Sequence, residues 1–108
     1  MSVPRLQLVL TRRAGRDIRD IRGHTLKYWG EDQDAVYYVA LRNALDVLRD
    51  QPDLGRPRDD LRPGMRSHRV HRHAVYYVTE GDRIIVLRIL HQRMDLGPDD
   101  FAQTWSST

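Results

Sequence analysis

The stretch Ala74-Val75-Tyr76-Tyr77-Val78-Thr79-Glu80-Gly81-Asp82-Arg83-Ile84-Ile85-Val86-Leu87-Arg88-Ile89-Leu90-His91 reads as two strands joined by a short turn. Ala74 to Val78 is rich in β-branched and aromatic residues, which fit a pleated, packed surface. Glu80-Gly81-Asp82 turns the chain, and Arg83 to His91 forms the second strand. Its central run, Ile84 to Leu87, is apolar on both faces, which places it inside a sheet rather than at an edge. No apolar run in the chain approaches the ~20 residues a membrane-spanning helix needs.

Upstream the pattern weakens and then changes period. Met65 to Val70 reads as a more polar strand, and residues 52–64 form a loop with three prolines and two glycines. Before Pro52, Tyr38, Leu41, Leu45 and Leu48 recur at helical spacing with Ala35 and Ala44 beside them. The acidic cluster Glu31-Asp32-Gln33-Asp34 suits the positive end of that helix. An earlier helix carries Ala14, Ile18, Ile21, Thr25 and Tyr28/Trp29 on one face, with Arg12, Arg13, Arg16, Arg19 and Arg22 between them. Thr11 is its expected N-cap, and Gly30 its terminating glycine. Leu6 to Leu10 alternates as a short first strand. The order is β-α-α-β-β-β. It predicts an α+β domain, a helical hairpin packed on a small, mainly antiparallel four-stranded sheet. One domain is expected over 1–108, with its core at about 6–96 and a tail at 97–108 after Gly97-Pro98.

The chain has 108 residues, 40% hydrophobic and 31% charged, a composition that suits one packed domain rather than a disordered chain. It has no cysteine, which excludes disulfides, thiolate metal sites and cysteine nucleophiles. The start, Met-Ser-Val-Pro-Arg, has no apolar signal core, so a cytoplasmic protein with no membrane partner is expected. Seventeen of the eighteen basic residues are arginine, Lys27 being the exception. Charge is segregated: net +5 over residues 1–30, −4 over 31–55, +5 over 56–93 and −3 over 94–108. Arginine's rigid fork suits carboxylate and phosphate partners, so these blocks mark either internal pairing or a partner surface.

His68, His71 and His73 cluster with Arg69 and Arg72 between them. In a continuous strand His71 and His73 share one face and His68 takes the other. Such a cluster either meets an anion or lies on a solvated edge, and no second ligand cluster accompanies it to build a metal site. His91 ends the last strand and is followed by Gln92-Arg93-Met94-Asp95. There an imidazole stands beside a guanidinium, or simply bonds a loop carbonyl. Each tyrosine doublet, Tyr37/Tyr38 and Tyr76/Tyr77, should place one ring in the core and one at the surface. No nucleophile elbow, phosphate-cradling glycine loop or zinc-protease helix occurs. Without a complete active site, the residues point to binding.

The segment Arg88-Ile89-Leu90-His91-Gln92-Arg93-Met94-Asp95, preceded by Ala74 to Val78, resembles the ParE toxins of the RelE/ParE type II toxin–antitoxin superfamily. Tyr28-Trp29-Gly30, Pro52-Asp53-Leu54-Gly55-Arg56 and Asp60-Leu61-Arg62-Pro63-Gly64 support the likeness, which covers about residues 6–96. The resemblance implies a plasmid-stabilising or growth-inhibiting toxin that is a protein inhibitor of DNA gyrase, rather than an enzyme, and needs no cofactor. It also implies a ParD-like antitoxin that wraps the toxin, an antitoxin dimer bridging toxins, and operator DNA contacted only through the antitoxin. The expected target surface is Arg88, His91, Arg93, Met94 and Asp95. The expected antitoxin surface is Arg13, Arg16, Arg19, Tyr28, Trp29 and Tyr38, with an amphipathic segment on the hairpin and an extended one along the sheet. The sister RelE branch cleaves mRNA on the ribosome. In that alternative His91, Arg88, Arg93 and His73 would carry the chemistry. However, His73, Gln92 and Leu96 stand where those nucleases tend to have arginine, arginine and tyrosine, so the gyrase reading is preferred.

Overall fold

The computed structural model describes residues 5–94 and 96–101. Its elements are β1 (Gln7–Leu10), α1 (Arg12–Asp50), β2 (Arg56–Pro57), β3 (Arg66–Val70), β4 (His73–Glu80) and β5 (Arg83–His91), with 3-10 turns at Pro52–Leu54 and Pro98–Phe101. Helix α1 is two arms. Gly30 interrupts it at φ 88°, ψ 176°, a backbone conformation open only to glycine. A straight helix would set Arg22 and Asp34 about 18 Å apart, yet their Nη2 and Oδ2 atoms lie 2.9 Å apart. The arms therefore run antiparallel, as the hairpin reading expects. Arg22 also lies over the Tyr38 ring at 4.3 Å, and its guanidinium holds the Asp34 carboxyl below the usual carboxylate range.

Thr11 caps the first arm as its sequence position suggests. Its Oγ1 accepts from the Ala14 N–H at 3.0 Å and donates to the Leu87 carbonyl at 2.9 Å, fixing the helix start to the sheet. The sheet order is β1-β5-β4-β3-β2. β1 lies parallel on β5, because α1 carries the chain back across the face, and the other pairings are antiparallel. The sheet has five strands where four were expected. The addition, β2, is two residues long and includes Pro57, so it shows no alternation in sequence and can lie only at an edge.

Apolar layers cover both faces of the sheet. Ala14, Leu41, Leu45 and Leu48 of the hairpin pack on Val75, Tyr77, Ile84, Val86 and Ile89. On the opposite face Leu61, Met65 and Phe101 cover Tyr76, Val78, Ile85, Leu87 and Leu90. This corrects the reading of Tyr76/Tyr77. Both rings are buried, because the surface face of the strand is itself covered by the 58–65 loop and by Phe101, whose ring centroid lies 5.2 Å from that of Tyr76. The Tyr77 hydroxyl accepts from the Gly55 N–H at 3.0 Å and donates to the Pro52 carbonyl at 2.7 Å. A Cβ at Gly55 would collide with this ring, meeting Cε1 at 2.8 Å, so the loop can close here only on glycine.

The β4–β5 register shifts at Tyr76/Tyr77, which pair with Arg88 and Val86, so Leu87 is the extra residue of a bulge. The bulge turns Arg88 toward the first arm of α1. There Asp17 takes its guanidinium in two bonds of 2.8 and 3.1 Å and accepts the Ile89 N–H at 3.0 Å.

Candidate functional site

Where the bend of the hairpin meets the β3–β4 turn and the end of β5, a cavity of about 490 Å³ opens. The first arm contributes His24, Thr25 and Trp29, and the second Gln33, Val36 and Tyr37. The sheet contributes His71, Arg72, His73 and His91. His73 and His91 are directly opposed across β4 and β5, and their rings meet edge-on at 5.5 Å. The Tyr37 ring stands 5.3 Å from His73 and 5.7 Å from His71, joining hairpin to sheet through aromatic contacts.

The β3–β4 turn is two residues long, His71 and Arg72, and His71 takes φ 53°. Such turns prefer asparagine and glycine. Here they carry an imidazole and a guanidinium, and both line the cavity. Arg72 lies over Trp29 at 5.9 Å. The His91 Nδ1 accepts from the Arg93 N–H at 3.1 Å, which in the neutral ring leaves the proton on Nε2. Tyr37 Oη and His73 Nδ1 are buried without a partner among the described residues. Burial pushes the Tyr37 phenol up to about 12. Burial first, then His91 and His24, lowers the His73 imidazole from its ordinary value. Among the described residues no three side chains converge as a metal site.

The structure separates the residues expected at the target surface. Arg88 is engaged with Asp17, both side chains being largely buried at 14% and 12% exposure. His91 is half-buried at the cavity, Arg93 and Met94 are exposed beyond β5, and Asp95 lies outside the described residues. Of the residues expected to meet the antitoxin, Arg13, Arg16 and Arg19 form an exposed stripe with no ion pair among the described residues. Tyr28 and Trp29 are each 60% exposed rather than core, since the first arm's final turn reaches past its sheet-packed stretch. Tyr38 is half-buried under Arg22, and it is Tyr37 that packs toward the sheet. His68 also differs from expectation. It pairs with Val75 as Val70 pairs with His73, so it shares the helix-facing side of the sheet with His73. The turn at 71–72 resets the alternation.

Three contributors were not singled out from sequence. Tyr37 and Tyr38 both continue the Leu41-Leu45-Leu48 stripe at helical spacing, so periodicity alone could not choose between them. His24 lies on the arginine-rich helix far in sequence from the other histidines. Asp17 did leave a signal: it stands three residues after Ala14, on the inner face, where a carboxylate must find a cation.

Residues 8–96 match the family model described as the ParE toxin of the type II toxin–antitoxin system, parDE. The chain is 35% identical over 86 residues to Toxin ParE1 of Caulobacter vibrioides, covering 80% of this chain and 88% of that one. It is 36% identical over 89 residues to Toxin ParE1 of Mycobacterium tuberculosis, covering 82% and 91%. A solved structure described as the chromosomal ParDE TA system from P. aeruginosa shares the fold, with a TM-score of 0.69 at 22% identity over 80% of this chain and 95% of that one. The chain thus belongs to the ParE toxin family of type II toxin–antitoxin systems.

Proposed function

We propose that this ParE toxin inhibits DNA gyrase as a protein ligand and is neutralised by a ParD-like antitoxin that wraps it. The observation that carries the reading is the family match, which spans β1 through the end of the sheet and includes the Leu90-His91-Gln92-Arg93-Met94 ending. The geometry supports it from a second side. In a nuclease Arg88 would have to stabilise phosphate, but its guanidinium is occupied by Asp17. Arg93, Met94 and the segment that begins at Asp95 form the target surface in this reading.

The antitoxin surface is the hairpin. Leu26, Tyr28, Trp29, Val36 and Val39 are exposed on either side of Gly30. An apolar tip at the end of an arm that carries an arginine stripe suits an amphipathic acidic segment. The outer edge of β1 offers a place for an extended one. Inducing the toxin and mapping cellular mRNA ends by primer extension separates this reading from ribosome-dependent cleavage. Gyrase inhibition expects no codon-phased cuts, and such cuts, lost on His91→Ala, would overturn it.

A further inference from the structure

We propose that the cavity at the hairpin bend is a binding site for a tetrahedral oxyanion of the phosphate class, with affinity coupled to imidazole protonation. Its polar lining consists almost wholly of donors and potential cations: Arg72, four of the five histidines, and the Tyr37 hydroxyl. Among the described residues no aspartate or glutamate lines it. That one-sidedness is what an anion requires, and at the half-buried Tyr37, His73 and His91 each such group counts for more than at the surface.

Two of the donors are uncommitted. Tyr37 Oη and His73 Nδ1 are buried without a partner among the described residues, and a ligand that bonds them would relieve the cost of leaving buried polar groups unpaired. The backbone is bent to the same end. His71 is the one described non-glycine residue with positive φ, and the turn that needs this conformation delivers His71 and Arg72 to the cavity. Trp29 steadies Arg72 from the hairpin side. The volume of about 490 Å³ lies within the range of small-ligand sites and exceeds a bare phosphate, leaving room for a phosphomonoester with a flat ring against Trp29 and Tyr37. Among the described residues three metal ligands do not converge, so the histidines are not gathered around a metal.

The groups facing His73 set the sign of the pH dependence. They are His91 on β5, His24 on the first arm, Tyr37 on the second, and His71 and Arg72 in the turn. None supplies negative charge. An anion supplies it, so binding takes up a proton and strengthens as pH falls.

Sulfate is the decisive ligand, because its charge stays fixed across the histidine range. Titration of the whole chain followed by histidine ring NMR should show saturable shifts of His73 and His91. Affinity should be about tenfold tighter near pH 5.5 than near pH 7.5. Arg72→Gln, an exposed turn residue, should weaken sulfate at least about tenfold, and Tyr37→Phe should weaken it by several-fold while keeping the ring. Arg42→Gln, exposed on the second arm and outside the cavity lining, should leave it unchanged. Parallel titrations with inorganic phosphate and AMP separate the sources: tighter AMP identifies a phosphomonoester, and equal affinities a free phosphate. Absent shifts, pH-independent affinity, wild-type affinity in Arg72→Gln, or adenosine binding as well as AMP would each overturn the proposal. None of these outcomes bears on gyrase, so the two readings stand or fall separately.

Discussion

At the scale of single residues, the fold rests on a few side chains with two jobs each. Tyr77 fills the core and bonds both Gly55 and Pro52. Tyr77→Phe should therefore lower stability by about 1–3 kcal/mol, read as a lower urea midpoint at unchanged slope, because the Gly55 N–H and Pro52 carbonyl lose their partner. Gly55→Ala should cost more, since the new Cβ meets the ring itself. His73 gives the pH dependence. Burial, aided by His91 and His24, lowers its folded pKa below the ordinary 6.5. Its contribution to stability is thus complete above that value and declines as pH falls through the folded value. Urea midpoints should fall between about pH 7 and 5.5 in the native chain, and the fall should be shallower in His73→Gln. Thr11 and Gly30 were legible in sequence because capping and chain reversal are local chemistry. The choice of Tyr37 over Tyr38 was not. It depends on Arg22 reaching across the hairpin to claim Tyr38.

At the scale of elements, the hairpin is held to the sheet by packing and by one largely buried ion pair. Asp17→Ala should cost about 3–5 kcal/mol, as it strands Arg88 beside the bulge and leaves the Ile89 amide unbonded. Arg88→Met, which removes the charge but keeps the apolar stem, should cost less, and equal losses would show that packing rather than charge dominates. At the bend, Gly30→Ala should destabilise by about 1–3 kcal/mol, since φ 88° is strained for any side chain. The periodicities of α1, β4 and β5 were plain because each element packs one or two full apolar faces. β2 was invisible: its pairing of Arg56 with Ser67 is a gain the neighbouring strand confers, not a pattern in its own residues. The cavity was half legible. The clustered histidines were seen as a candidate anion surface, but the contribution of His24 and Tyr37 exists only once the hairpin folds over the strand ends.

At the scale of the whole molecule, the segregated charge finds a structural meaning. Part of it is spent internally, in Arg22–Asp34, Arg88–Asp17 and Arg5–Asp50. Among the charges left exposed is the stripe Arg13, Arg16 and Arg19, on the first arm that leads to the apolar hairpin tip. Reversing all three to glutamate should weaken co-purification with the antitoxin by at least about tenfold, and the loss should shrink at high salt. Unchanged capture would place the contact elsewhere. Supercoiling of relaxed plasmid by purified gyrase with ATP tests most directly the proposal that this ParE toxin acts on gyrase by binding. Added toxin should inhibit supercoiling and accumulate gyrase-linked cleaved DNA, and its cognate antitoxin should restore activity. Full supercoiling without cleaved DNA at excess toxin would contradict the account.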